Sequence, residues 1–310
     1  MATTTTYTIG GATSVELGNV QDILDVVINI SPKDTPFLSS IAKTGASGVK
    51  HEWVYDTLRA AVQNAAVEGA PATYAASAAR ARDYNICQIL RNTITVSETQ
   101  RKVKKVAVED EMAYQLAKEL PAHALDLEYM LIRNTTRTAG DDSTARLAGG
   151  LTVFVDGYAT DNGNTVNKAG APYSEDDFNG QIQEAWNDGG MVDTVMCAGA
   201  HKRRISKFNA SSQKNVDATS KALTMAIDIY DSDFGRVKMI PNRNVPYTTA
   251  GDTFFLEMKR FKLAVLRPTT PTDMAKTGDS YEKMVVTEAT LEGLAPKANA
   301  CIKNASADVI

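Results

Sequence analysis

Cysteine is scarce in this 310-residue chain: Cys87, Cys197 and Cys301 are odd in number and far apart. That argues against a disulfide framework and for free thiols in a reducing compartment. The glycosylation sequences at Asn134, Asn209 and Asn304 are then chance matches. No apolar run approaches the ~20 residues of a membrane span, and the Met-Ala-Thr start has neither the basic nor the apolar region of a signal peptide. No membrane partner is expected. An excess of one charge is missing too: 33 Lys+Arg against 37 Asp+Glu leave a net charge of −4, which commits the chain to no nucleic acid. Glycine-rich phosphate loops are absent, as is a Gly-x-Ser-x-Gly nucleophile turn. His51-Glu52 lacks the second histidine of a zinc helix, and no metal site is expected at His123 or His201. Asp233-Phe234-Gly235 matches a kinase tripeptide without the companion motifs and reads as a turn. No catalytic residue, cofactor or metal is expected.

What is present is an ordinary globular composition, 43% hydrophobic and 23% charged, sufficient for one or two domains. The first hundred residues hold little core. One apolar segment, Ile23 to Ile30, precedes Ser31-Pro32-Lys33-Asp34-Thr35-Pro36-Phe37-Leu38, whose prolines forbid a continued helix. Strand-like runs from His51 to Leu58 and from Asp83 to Val96 flank a segment in which eleven of the 22 residues from Ala60 to Ala81 are alanine. So long an arm is a liability for a soluble enzyme, and useful to a chain that clasps its neighbours.

The strongest helical pattern runs from Arg101 to Arg137, with Val106, Ala113, Leu116, Leu120, Ala124, Leu127 and Leu131 on one face. Pro121 predicts a kink or break within it. If continuous, the helix would span roughly 55 Å. Arg101, Lys102, Lys104 and Lys105 at its start oppose the helix dipole. They form either a solvated face or a contact with a neighbour's carboxylates or packaged nucleic acid. Downstream, Ser174 and Asp177 form a capping box for a helix ending at Gly189-Gly190, and Thr194 to Cys197 is a buried strand. A basic helix from Ala200 to Phe208 follows, then strand-like runs at Met225–Tyr230, Val237–Ile240, Thr253–Met258 and Phe261–Arg267, the last ending before Pro268. Tyr281 to Leu294 alternates weakly as a one-sided strand. This mixed order predicts an α+β fold.

Several stretches resemble one known family. Ile30 to Leu38 with Lys50-His51-Glu52-Trp53, Ala113 to Lys118, Ala185 to Gly190, Asp228 to Gly235 with Ile240-Pro241-Asn242-Arg243, Leu266-Arg267-Pro268 and Ala275 to Ser280 resemble the major capsid proteins of tailed bacteriophages, in the family's order. Pro121 departs from that pattern. The resemblance implies the Hong Kong 97 shell fold: N-terminal arm 1–50, extended E-loop 51–98, P-domain with spine helix 99–173, A-domain 174–268, and return strands to the P-domain 269–310. It also implies hexameric and pentameric capsomers forming an icosahedral shell around double-stranded DNA, itself held by weak non-specific contact. The assembled location would be the virion, built in the host bacterial cytoplasm. A portal, and scaffolding and decoration proteins, are the implied partners besides the chain itself. Only residues 1–50 precede the E-loop, so a separate scaffolding protein is expected, or none. The intersubunit-contact candidates are Trp53, Arg80, Arg82, Arg91, Arg101 and Lys102. An encapsulin-like nanocompartment is the rival within this fold, and a soluble α+β enzyme using carboxylate chemistry the rival from another class.

Overall fold

The computed structural model describes residues 33–71, 79–105, 108–155, 157–160, 163–208, 228–276 and 278–307. The expected apolar segment Ile23–Ile30 and position Val106 lie outside them, as does the start of the run at Met225. In chain order the elements are α1 (Pro36–Ser40), β1 (Ala42–Gly45), β2 (Lys50–Tyr55), β3 (Ala81–Ile86), β4 (Gln88–Ser97), α2 (Glu98–Lys102), α3 (Glu111–Arg133), β5 (Thr165–Asn167), α4 (Glu175–Asn187), β6 (Thr194–Cys197), α5 (Gly199–Phe208), β7 (Ile229–Ser232), β8 (Gly235–Pro241), β9 (Ala250–Leu256), β10 (Phe261–Asp273), β11 (Ser280–Gly293) and β12 (Ala300–Ser306). Among the described residues no helix is long and apolar enough to cross a membrane.

The strands form a four-stranded sheet, β1-β10-β11-β4, a six-stranded sheet, β5-β12-β9-β6-β8-β7, and the separate hairpin β2-β3. Alternation along β6 and β9 fills both faces of the six-stranded sheet. Val195, Cys197 and Phe255 join Phe178, Ile182 and Ile205 of α4 and α5 in one core. Met196, Phe254 and Leu256 point the opposite way, into the larger core under α1 and α3.

The long helix needs correction. Arg101 to Arg137 is not one helix: α2 stops at Lys102, and α3 begins at Asp110, whose side chain accepts from Met112 N at 2.9 Å. An N-cap inside the apolar pattern divides it, and α3 alone is roughly 35 Å long. Nor does Pro121 break α3, which runs through it. Ala117, whose carbonyl loses its donor, lies on the exposed side, where water can replace that bond. The buried face also differs, comprising Met112, His123, Leu127, Glu128, Met130, Leu131 and Ile132 while Ala113 and Leu120 are exposed.

The capping box forms as read, with Ser174 Oγ accepting from Asp177 N at 3.1 Å and Asp177 Oδ2 from Ser174 N at 2.8 Å. β10 does not end before Pro268; its register against β11 slips between Val265 and Thr270, and the bulge absorbs a residue with no N–H to donate. Three boundaries shift accordingly. Residues 88–97 pair with β11, not with the hairpin. Strands β5 and β12 join the six-stranded sheet, so 269–310 does not return wholly to the other one. Phe37 and Ile41, in the stretch expected as arm, are buried in the main core.

Two buried histidines give the fold an acid limit. His123 lies between Asn92 and Thr287, at 2.8 and 2.7 Å. Asn92 Nδ2 already donates to Glu119 and Asp126, so Asn92 Oδ1 accepts. His123 Nδ1 therefore carries the proton, and Nε2 accepts from Thr287. Burial lowers the pKa of His123, with Asp126 and Glu119 opposing. Burial, then Arg204, pushes His201 down to about 4. The unfolded chain binds protons on both as pH falls below about 6.5, while the folded chain resists, so stability declines from there towards pH 4. For His201 the loss is roughly 3 kcal/mol. Chemical denaturation of the unassembled chain at pH 7 and pH 5 should show it, and His201→Gln should shrink the difference. An equal pH dependence in the variant would contradict this.

Candidate functional site

The hairpin β2-β3 is fixed at one end and uncovered at the other. Its root is bolted by Asn85, which is fully buried. Asn85 Nδ2 donates to the carbonyls of Gly149 and Leu291, both at 2.8 Å, and Oδ1 accepts from Gly149 N at 2.8 Å. Arg137 reaches from the segment after α3 to Asp83 Oδ1 at 2.7 Å and to the Tyr84 carbonyl, and stacks over the Tyr84 ring at 4.2 Å. On the other strand His51 Nε2 meets Glu292 Oε2 at 3.1 Å, and Lys262 meets the same carboxylate at 3.5 Å.

Beyond Tyr55 the chain has no cover among the described residues. Every residue from 56 to 71 is exposed, including Leu58 at 99%, Val62 at 64% and Val67 at 80%. A lone two-stranded hairpin is marginal in water. Leu58, Val62 and Val67 are thus apolar side chains on one loop with no cover among the described residues.

The six expected contact residues are dispersed. Trp53 is half-buried and packs on its own subunit, with its ring 5.8 Å from Phe154, so it serves the root. Arg80 and Arg82 are exposed on the hairpin, with loose ion pairs of 3.8 Å to Asp56 and 3.9 Å to Glu52. Pairs so solvated contribute little. Arg91 is not on the hairpin: it lies exposed on β4 opposite Val286. Arg101 bonds Glu98 at 3.2 Å and covers the Tyr281 ring at 4.7 Å. Lys102 is exposed and makes no ion pair with a described residue. Both stand in the last turn of α2, where the dipole favours cations, so the expected opposition to a helix start does not arise.

Sequence reasoning missed the residues that hold the parts together. Glu128, on the core face of α3, is fully buried and has no cation partner among the described residues. Its carboxylate accepts from Phe37 N at 2.9 Å, Leu38 N at 2.7 Å and Asn242 Nδ2 at 2.7 Å. These are the free first-turn donors of α1, where Pro36 opens the helix, and a side chain from beyond β8. A carboxylate at a core position of the helical pattern was its one signal. Asn85 and Arg137 offered none. No group of three or more His, Cys, Asp or Glu is placed to hold a metal among the described residues.

The sequence matches the SU10 major capsid protein family over residues 2–306. The chain belongs to that family. A curated relative, the major capsid protein of Escherichia phage Phieco32, is 25% identical over 305 residues, covering 83% of this chain and 86% of the relative. Among solved structures, the capsid of the native GTA particle superposes with a TM-score of 0.66 at 11% identity, over 96% of this chain and 100% of the other. The SrpI encapsulin of Synechococcus elongatus gives a TM-score of 0.61 at 11% identity, over 94% of each chain. At such identity these two show a shared fold, the Hong Kong 97 type in its α+β form.

The root generates a prediction about folding. Asn85→Ala leaves Gly149 and Leu291 with unmet buried groups, and should cost about 1–3 kcal/mol in denaturation of the unassembled chain. Arg80→Ala, on the solvated strand, should change it by under about 0.5 kcal/mol. Equal losses would show that hairpin and root are one folding unit.

Proposed function

We propose that this chain is a major capsid protein whose copies assemble into hexameric and pentameric capsomers and close into an icosahedral shell around double-stranded viral DNA. The observation that carries this is the hairpin, held rigidly at Asn85 and bare beyond Tyr55. Membership of a major capsid protein family supports it. With it goes a division into arm, E-loop, P-domain with α3 as spine, and A-domain around the six-stranded sheet, with β4 moved from the E-loop to the four-stranded sheet and β12 to the six-stranded one. In a lattice each subunit buries such a loop on a neighbour, and many modest contacts add to a stable wall.

Arg80 and Arg82, with side chains 78% and 75% exposed, exchange their loose partners for carboxylates of the neighbouring copy. Arg91 and Lys102 offer further cations to a neighbour or to DNA phosphates. A net charge of −4 suits a container that must release its contents. The role is structural, without catalysis, and places the chain in the virion after assembly in the host cytoplasm with a portal and any scaffolding or decoration proteins. The likeness to an encapsulin is one of fold, and the curated relative is a phage capsid protein.

Leu58→Asp and Val67→Asp test the reading. Both sites are exposed, so the unassembled chain should melt like wild type while particle yield in negative stain falls at least several-fold. Wild-type yield from both variants would defeat the proposal. Arg80→Ala and Arg82→Ala should give weaker particles, by about 2–5 kcal/mol per contact where the pair is buried in the lattice.

A further inference from the structure

The hairpin leaves two features of the chain without a role, an exposed tryptophan and the basic helix α5. Trp186, in the last turn of α4, is 54% exposed, and its ring lies 5.5 Å from that of Phe234 in the turn between β7 and β8. Met191, just past the Gly189-Gly190 turn that follows the helix, is exposed as well. Bare tryptophan leaves a large apolar surface in water, and the residue is enriched where protein surfaces meet. Close to this pair in the chain, Glu184, Asp188 and Asp233 are exposed carboxylates with no ion pair to a described residue. Arg236, on the same β7-β8 turn, is taken by Asp231 at 2.9 Å. Lys297 lines the same cleft as Asp188 and offsets one of the three.

The opposite charge lies at the opposite end. β6 and β8 run parallel, so Phe234, immediately before β8, marks where both begin, whereas α5 leaves from where β6 ends. Phe208, the last residue of α5, packs on Phe178 in the first turn of α4, with ring centres 5.9 Å apart. Trp186 is eight residues further along α4, roughly 12 Å away along the helix. Helix α5 contains no carboxylate. Its His201 and Ile205 are buried, Lys202 reaches Asp228 at 3.1 Å, and Arg204 Nε donates to the Tyr173 carbonyl at 2.7 Å. That leaves Arg203 and Lys207, both exposed, four residues apart on one face and without an ion pair to a described residue.

We propose that the Trp186–Phe234 end of one copy packs against the outer face of α5 in the next copy, with Glu184 and Asp188 facing Arg203 and Lys207. The contact rests on the reading of this chain as a shell-forming subunit and adds to the hairpin a second, separate surface. The two ends are complementary in charge and too far apart to meet within one copy. A contact that joins two different faces of identical subunits runs head to tail, and such contacts close into rings. The apolar pair supplies burial, and the charges fix which neighbour and which orientation are accepted.

The chain has two tryptophans, and Trp53 is half-buried in its own subunit. In Trp53→Phe the fluorescence therefore reports Trp186 alone. Its quenching by acrylamide should fall at least several-fold between unassembled chain and particle. Should Trp53→Phe fail to fold, the difference between wild type and Trp186→Phe reads the same quantity. Arg203→Glu with Lys207→Glu should lower particle yield several-fold, and adding Glu184→Lys with Asp188→Lys should restore it. Particles in which Trp186 is quenched as freely as before overturn the inference and leave the shell reading intact, because the hairpin can still hold a lattice. Lost quenching without rescue by the charge swap overturns it too, since something other than α5 then covers the tryptophan. A wild-type chain that forms no particle at all defeats the proposed function, and this contact with it.

Discussion

Burial needs two surfaces, and residues 56–71 bring only one. Leu58, Val62 and Val67 stand in solvent on a hairpin whose strands pair only with each other. The described residues of the subunit do not relieve this, because their core lies at the root, where Trp53 packs on Phe154. Much of the remaining structure serves that constraint. Asn85 ties the hairpin to the backbone at Gly149 and Leu291, Arg137 clamps Asp83 and Tyr84, and His51 with Lys262 converges on Glu292. A loop anchored this way delivers its free end to one position, so less ordering entropy remains to be lost when a neighbour meets it.

The same economy joins the rest of the subunit. Glu128 on α3 collects the first donors of α1 and the amide of Asn242, so one carboxylate fixes the segment before β1 and the loop after β8 to the same helix. His123, a turn and a half earlier, links α3 to β4 and β11 through Asn92 and Thr287. Removing one partner from such a network costs more than one average hydrogen bond, because the others are left unmet in a dry interior. The interactions that position the exposed loop are therefore largely polar, although the loop itself bears bare apolar side chains.

Much of this was legible in the sequence where a local rule acts alone. The Ser174–Asp177 box, the buried run Thr194–Cys197 and the paired strand-like runs around an alanine-rich segment all correspond to elements. The failures have a common cause. The apolar pattern from Arg101 to Arg137 kept its phase across a gap that Asp110 reopens as a new helix, since periodicity does not register a cap. Pro121 does not end α3 because its lost bond faces water, and Pro268 does not end β10 because a bulge takes it up. Strand β4 was assigned to the loop since pairing with β11, nearly two hundred residues away, leaves no trace in its own residues. At the site the exposed arginines were readable by type, whereas Asn85, Arg137 and Glu128 act through partners that only the folded chain brings near.

Hydrogen exchange on the hairpin, compared between unassembled chain and finished particle, bears most directly on the central claim. Amides of residues 50–55 and 81–86 should be protected in both, because the root is built by the subunit itself. Amides of residues 56–71 should exchange freely in the unassembled chain and become strongly protected in the particle. Protection of that segment before assembly, or free exchange within the particle, would contradict the claim that a neighbouring copy supplies its missing surface.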